Sequence, residues 1–431
     1  MPAPPDPLFF KMRNFNRFFL LLMIALMAGC ATTPPPAPAP IPQPPAPVEP
    51  PKVKPPRVKP VVVPAPPKIT PPPAPAVAPA NLSDQQIHKI VLKLLPNTLQ
   101  DKEGWAMDLQ LALKSLQILP TPAHFCAVIA VIAQESNFQA DPSVPNLPSI
   151  VRREMEQRRE KYSIPQKVVD WALDTDSRDG RTYQQRINTL KTEKELSDLV
   201  EEVVDRVPIG KKLFGNYNPV RTGGPMQVSV EFADSHVKER PYPYTMNGSV
   251  RNEVFSRRGG LYFGSAILLD YPAPYNDILY RFADFNAGRY SSRNAAFQQA
   301  LAHITGKSIA TDGDLLRYKN GKPAPEASTT LAILLAIRHT LKLDEAEIQR
   351  DVQLEKSPSF SKTPLYQRVF ELADQRGTQP RTVMPAIDLK SPKFKRKLTT
   401  EWFATRVNNR YKACLQQGGI AEKPKPLPNA R

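Results

Sequence analysis

Three short stretches of the chain carry residue types able to do chemistry, and the first is Gln134-Glu135-Ser136. Glu135 comes at the end of a helical pattern in which every residue from Phe125 to Ala133 is apolar. Thr121 is placed to cap that helix, and Pro122 stands at its first position, where a missing N–H costs nothing. A helix apolar on all faces has to be covered by protein, so it belongs at the centre of a domain. A lone carboxylate beside apolar walls, at the negative end of a helix dipole, is pushed toward its neutral form, which suits a proton donor. Glu135 is therefore a candidate general acid; the other reading is that it marks where the helix meets solvent.

The second stretch is Thr222-Gly223-Gly224-Pro225-Met226-Gln227-Val228-Ser229. Its glycines and proline force a turn, from which Met226 and Gln227 project one apolar and one amide side chain. The third is Arg281-Phe282-Ala283-Asp284-Phe285-Asn286-Ala287-Gly288, where a helix from Asp277 is expected to end at Gly288 in a left-handed cap. Each is a weak signal by itself.

In chain order, Glu135-Ser136 with Phe138, then Gly224-Pro225-Met226-Gln227, then Phe285-Asn286-Ala287-Gly288 resembles the soluble lytic transglycosylase group of the lysozyme-like superfamily. That pattern is a Glu-Ser ending a buried helix, a Gly-x-Met-Gln turn and a Tyr-Asn-Ala-Gly helix end. Gly259-Gly260-Leu261-Tyr262-Phe263 and the helix through Ile267, Leu268 and Leu269 look like the helix preceding the third motif. The resemblance implies that Glu135 is the catalytic acid/base and that Ser136 contacts substrate or the acid. It makes Met226 and Gln227 the groove wall, Asn286 a sugar ligand, and Tyr262 and Phe285 further substrate-binding residues lining the cleft. Phe285 stands where the family usually has Tyr, Pro225 where an aliphatic residue is common, and the gaps between motifs are long. The resemblance spans about Pro120 to Leu301.

The implied reaction cleaves peptidoglycan between N-acetylmuramic acid and N-acetylglucosamine, leaving an anhydro product. Hydrolysis by two carboxylates needs a second acid some ~5–9 Å from the first, whereas a transglycosylase works with one. Asp141 and Asp284 are the candidates for a second acid by sequence context, and Asp141 reads as a loop residue before Pro142. A degenerate, non-catalytic peptidoglycan-binding or scaffold lipoprotein is the alternative that Phe285 allows. No metal and no other cofactor is expected: three cysteines show no metal-ligand spacing and there is no His cluster.

The elements that must position these residues begin after an N-terminal region of another kind. Lys11, Arg13 and Arg17 precede an apolar segment, Phe18 to Met27, too short for a membrane span of ~20 residues. Met27-Ala28-Gly29-Cys30 resembles a bacterial lipobox, with Cys30 as the lipidated residue. Ala31 after it is not Asp, which by resemblance to enterobacterial-type lipoproteins implies sorting to the outer membrane, with the protein lipid-anchored on the periplasmic face. About half of the 50 prolines fall before residue 81, and residues 31–80 read as a tether able to reach ~140 Å as polyproline II. With Cys30 lipidated, Cys126 and Cys414 are left to pair in an oxidising compartment, unless Cys126 is simply a small buried residue of its apolar helix, the commoner fate.

The net charge of +17 suits a polyanionic cell-wall or membrane surface as well as a nucleic acid; with the lipobox, peptidoglycan and the membrane are the expected partners, and nucleic acid is not. Helical spacing recurs at Leu82–Leu94, Lys102–Gln117, Ile150–Tyr162, Gln166–Leu173, Tyr183–Leu190, Glu193–Val207, Glu326–Leu341, Pro364–Gln375 and Thr399–Leu415, with little strand alternation. The expected fold is mostly α: a lysozyme-like domain over 81–310 with an insertion at 143–217, and an accessory helical region over 311–431.

Overall fold

The apolar run ending at Glu135 is the axis of the main core. In a computed structural model of the chain, the described residues are 82–207, 218–319, 321–389 and 398–420. The chain divides after Pro72, so all of them belong to the second unit. The signal segment, Cys30, the tether and the basic linker Lys390 to Lys397 lie outside the described residues. The fold is mostly α.

Three helices open it: α1 (Asp84–Leu94), α2 (Lys102–Ser115) and α3 (Pro122–Glu135). Ser83 caps α1 in a reciprocal box with Gln86, and Thr121 caps α3 by accepting from the His124 N–H at 3.2 Å. As the composition of α3 requires, every residue from Phe125 to Ile132 is buried.

Four helices then make the inserted layer: α4 (Leu147–Lys161), α5 (Gln166–Asp174), α6 (Tyr183–Thr189) and α7 (Glu193–Arg206). They close on a core of their own, with Val151, Met155, Ile187, Leu199 and Val203 around Tyr183. The buried Glu202 of α7 takes hydrogen bonds from the Arg178 N–H and the Tyr183 hydroxyl and pairs with Arg186, which ties α6 to α7.

The chain returns to the main core through a short antiparallel hairpin, β1 (Thr222–Gly223) and β2 (Val228–Ser229), with Gly223 opposite Val228. Helices α8 (Val230–Glu239), α9 (Val250–Val254), α10 (Arg257–Leu269) and α11 (Ile278–Ala287) follow. The glycines of α10 explain how the hairpin seats: a side chain at Gly260 would strike Pro225, and one at Gly264 would strike Met226.

A second core begins at α12 (Ser291–Thr305) and continues through the β3–β4 hairpin (Tyr318–Lys319, Lys322–Pro323), α13 (Thr329–Ala336), α14 (Arg338–Leu341), α15 (Glu345–Val352) and α16 (Pro364–Asp374). Phe297, Phe360, Tyr366 and Phe370 pack edge-on and stacked at its centre. The helix expected over Glu326–Leu341 is broken near Ile337 into α13 and α14.

The last elements do not belong to that second core. Strands β5 (Asp388–Leu389) and β6 (Leu398–Thr399) pair and lead into α17 (Thr400–Gln417). Helix α17 lies along α3 and α11, burying Phe403, Ala404, Val407 and Leu415 in the main core. Cys414 forms a disulfide with Cys126 of α3. The expected boundary at 310/311 is thus corrected: residues 296–373 build a separate core, but α17 is part of the first domain because its apolar face is what covers α3.

Candidate active site

The chain reverses sharply where α3 ends. Asn137 and Phe138 both take positive φ, +49° and +62°, a conformation costly for a residue with a Cβ unless packing holds it. The Phe138 ring, edge-on to Trp105 at 5.4 Å, supplies that packing. Glu135, the last residue of α3, is left half-buried on the wall of a cleft of about 990 Å³.

Two other walls come from the motifs found far along the sequence. In the hairpin, Gly224 has φ +72° beneath the Val254 carbonyl, and Gln227 has φ +51°, which turns its side chain onto the cleft. At the end of α11, Phe285 and Asn286 line the same space. Asp277 caps α11 as expected, but Gly288 has φ +109° with ψ 144°, a conformation outside the left-handed helical region and open essentially to glycine. The cleft therefore brings together Glu135, Gln227, Phe285 and Asn286.

Three expected site residues are placed elsewhere. Ser136 is buried and donates its hydroxyl to the Ile132 carbonyl at 3.2 Å, closing the helix end instead of facing the cleft. Met226 is fully buried against the glycine face of α10, where its length fills the gap that Gly264 leaves. Tyr262 is buried among His236, Tyr242 and Phe263, with its hydroxyl on the Pro241 carbonyl at 3.3 Å and near His236 Nε2 at 3.2 Å. All three support the site from behind.

The candidate second acids are excluded from the cleft as well. Asp284 is fully buried and accepts from the Tyr271 hydroxyl at 3.1 Å and from the Tyr290 and Ser292 N–H groups at 2.8 Å each. Burial pushes its carboxyl up to about 6. Its bonds fix the Gly288–Ser292 turn joining α11 to α12. Asp141 is not among the cleft residues; burial raises its carboxyl, while a hydrogen bond with Thr192 opposes the shift.

Residues that sequence reasoning missed complete the cleft: Glu193 at the start of α7, Arg221, and Leu389, Trp402 and Phe403 from the C-terminal elements. Glu193 shows that the inserted layer forms one wall. Trp402 carries the Arg406 guanidinium over its ring at 5.2 Å. Thr400 donates to Asn286 Oδ1 at 2.8 Å. The one available signal was Cys414, since pairing it with Cys126 would have carried α17 to the site. Among the described residues, no group of three or more His, Cys, Asp or Glu side chains is placed to hold a metal, and no helix is long and apolar enough to cross a membrane.

Fold and site together define a mostly α protein whose central buried helix delivers a glutamate to a large cleft that the inserted layer, the hairpin, α11 and the C-terminal elements also line. Residues 98–417 match the family described as "Protein of unknown function (DUF1615)", and the chain belongs to that family. It is 45% identical over 333 residues to "Uncharacterized protein YaiW" of Escherichia coli (strain K12), covering 77% of this chain and 90% of that one. No solved structure matches it.

Proposed function

We propose that the protein is a peptidoglycan lytic transglycosylase of lysozyme-like type, anchored by lipid at Cys30 to the outer membrane and facing the periplasm. The observation that carries this reading is the convergence of Glu135, Gln227, Phe285 and Asn286, from three distant motifs, on one cleft at the end of the buried helix. The cleft is large enough for several sugar rings. The Cys126–Cys414 disulfide suits an oxidising compartment such as the periplasm.

In this mechanism Glu135 protonates the glycosidic oxygen, the acetamido group of the substrate stabilises the ring cation, and the Glu135 carboxylate then takes the proton of a sugar hydroxyl as the anhydro ring closes. Glu193 is the other carboxylate among the described residues lining the cleft; acting as a base on water it would give hydrolysis instead. A second reading rests on Phe285: without the family's tyrosine hydroxyl, the cleft serves a non-catalytic peptidoglycan-binding or scaffold lipoprotein.

Incubating the purified protein with sacculi and weighing the released muropeptides separates these readings. Anhydro ends support the transglycosylase, reducing ends support hydrolysis, and retained binding without release supports the scaffold. Protein that neither binds nor cleaves sacculi overturns all three. For the anchor, Cys30→Ser should abolish lipid labelling and membrane attachment; unchanged attachment would remove Cys30 from that role.

A further inference from the structure

We infer that Thr400, in the C-terminal helix and outside the stretch that carries the motifs, is a positioning residue for the sugar-binding amide of Asn286; this rests on the sugar-cleft reading above. Thr400 is fully buried at the first position of α17. Its hydroxyl is not needed for the helix end, because Thr399 is the cap, accepting from the Trp402 N–H at 3.1 Å. Its own N–H is held by the Ile387 carbonyl at 3.1 Å. With its backbone so fixed, the hydroxyl is aimed at Asn286 and donates to Oδ1 at 2.8 Å.

This bond has a chemical consequence. An asparagine amide carries an acceptor at one corner and two donors at the other, and its two orientations are nearly isosteric. With Oδ1 engaged by Thr400, the Nδ2 donors are what Asn286, a residue lining the cleft, has left to offer a ligand. The complementary group on a sugar is an oxygen acceptor, such as an acetamido carbonyl, and a ligand group that can only donate is disfavoured there. The disulfide and the buried face of α17 hold this arrangement in register with α3, so both ends of the cleft chemistry depend on the same pair of helices.

The test uses the full mature protein, with a soluble N-acetylglucosamine pentamer as probe and cellopentaose, which lacks acetamido groups, as control. Thr400→Val, which keeps shape but removes the donor, should weaken pentamer binding about 5- to 10-fold, the worth of one neutral hydrogen bond. Thr400→Ser should restore it. On an Asn286→Ala background, Thr400→Val should add nothing, since the two act as a unit. The Asn286 side-chain amide signal in a ¹H–¹⁵N spectrum, assigned by its loss in Asn286→Ala, should shift in Thr400→Val and not in Thr400→Ser. Binding by Thr400→Val equal to wild type, a serine variant as weak as the valine, or an undiminished loss on the alanine background overturns the inference. Wild-type protein that binds neither pentamer nor sacculi overturns the proposed function instead; the amide signal still decides the positioning role, which falls if that signal is unchanged in Thr400→Val.

Discussion

Cys126 in the central helix and Cys414 in the last helix have Cα atoms 5.6 Å apart and are joined by a disulfide across 288 residues of chain. The bond ties the helix that presents Glu135 to the helix that bears Thr400 and Trp402. A loop of that length removes much denatured-state entropy, worth about 6 kcal/mol in the chain-entropy treatment, with measured losses more often ~2–5 kcal/mol.

Replacing both cysteines by alanine should therefore lower the unfolding free energy by about 2–5 kcal/mol in denaturant titration. It should also weaken sacculus binding, because α17 brings Trp402 to the cleft and Thr400 to Asn286. A double mutant with wild-type stability would mean that apolar packing of Phe403, Val407 and Leu415 alone holds the helix in place.

Glu135→Gln keeps the shape and hydrogen-bonding capacity of the side chain while removing the transferable proton. Muropeptide release should fall by ~10²–10⁴, with sacculus binding nearly unchanged and the melting temperature within about 2 °C of wild type. Full activity in this variant would take Glu135 out of the mechanism. Loss of activity together with a large drop in melting temperature would favour a structural role for it.

Gly224 sets the hairpin that carries Gln227, and two independent obstacles meet any side chain there. Its φ of +72° strains an L residue, and a Cβ would collide with the Val254 carbonyl. Gly180 has a similar φ, +81°, but nothing near its missing Cβ. Gly180→Ala should thus cost only the backbone term, about 1 kcal/mol, and Gly224→Ala about 2–3 kcal/mol with a measurable loss of sacculus binding. Equal costs in denaturant titration would show that the hairpin yields to the added methyl.

The legible parts of this protein were those whose signal is local. Caps and apolar spacing placed the ends of α1 and α3 through Ser83 and Thr121, and the run from Phe125 to Ile132 could only be buried. The convergence of Glu135, Gln227 and Asn286 was legible only because the motif order resembled a known arrangement, since nothing in spacing alone brings residues so far apart together. Ser136, Met226 and Tyr262 sit inside the motif stretches yet face inward, because the face a side chain presents depends on neighbours such as Gly264 that sequence position does not reveal. Glu193 and Trp402 were illegible because their elements are ordinary amphipathic helices; only tertiary packing turns them onto the cleft, and only packing brings the buried Thr400 to Asn286.

Asp284 gives a pH prediction whose sign follows from its burial. Its folded carboxyl lies at about 6 against an ordinary value of 3.8, so between those values the native state holds more protons than the unfolded chain. Stability from this group is then fully present below 3.8, declines as pH rises, and is lost once pH passes about 6. From pH 7 to pH 5 the wild type should gain about 1 kcal/mol from Asp284 alone. Asp284→Asn cannot titrate, and it replaces one of the two oxygens that accept from the Tyr290 and Ser292 N–H groups, so it should be destabilised at both pH values. Its deficit relative to wild type should be the larger at pH 5 by that same ~1 kcal/mol. Denaturant titrations of the two proteins at each pH measure the difference directly, and a deficit independent of pH, or smaller at pH 5, would show that the Asp284 carboxyl is not raised in the folded protein.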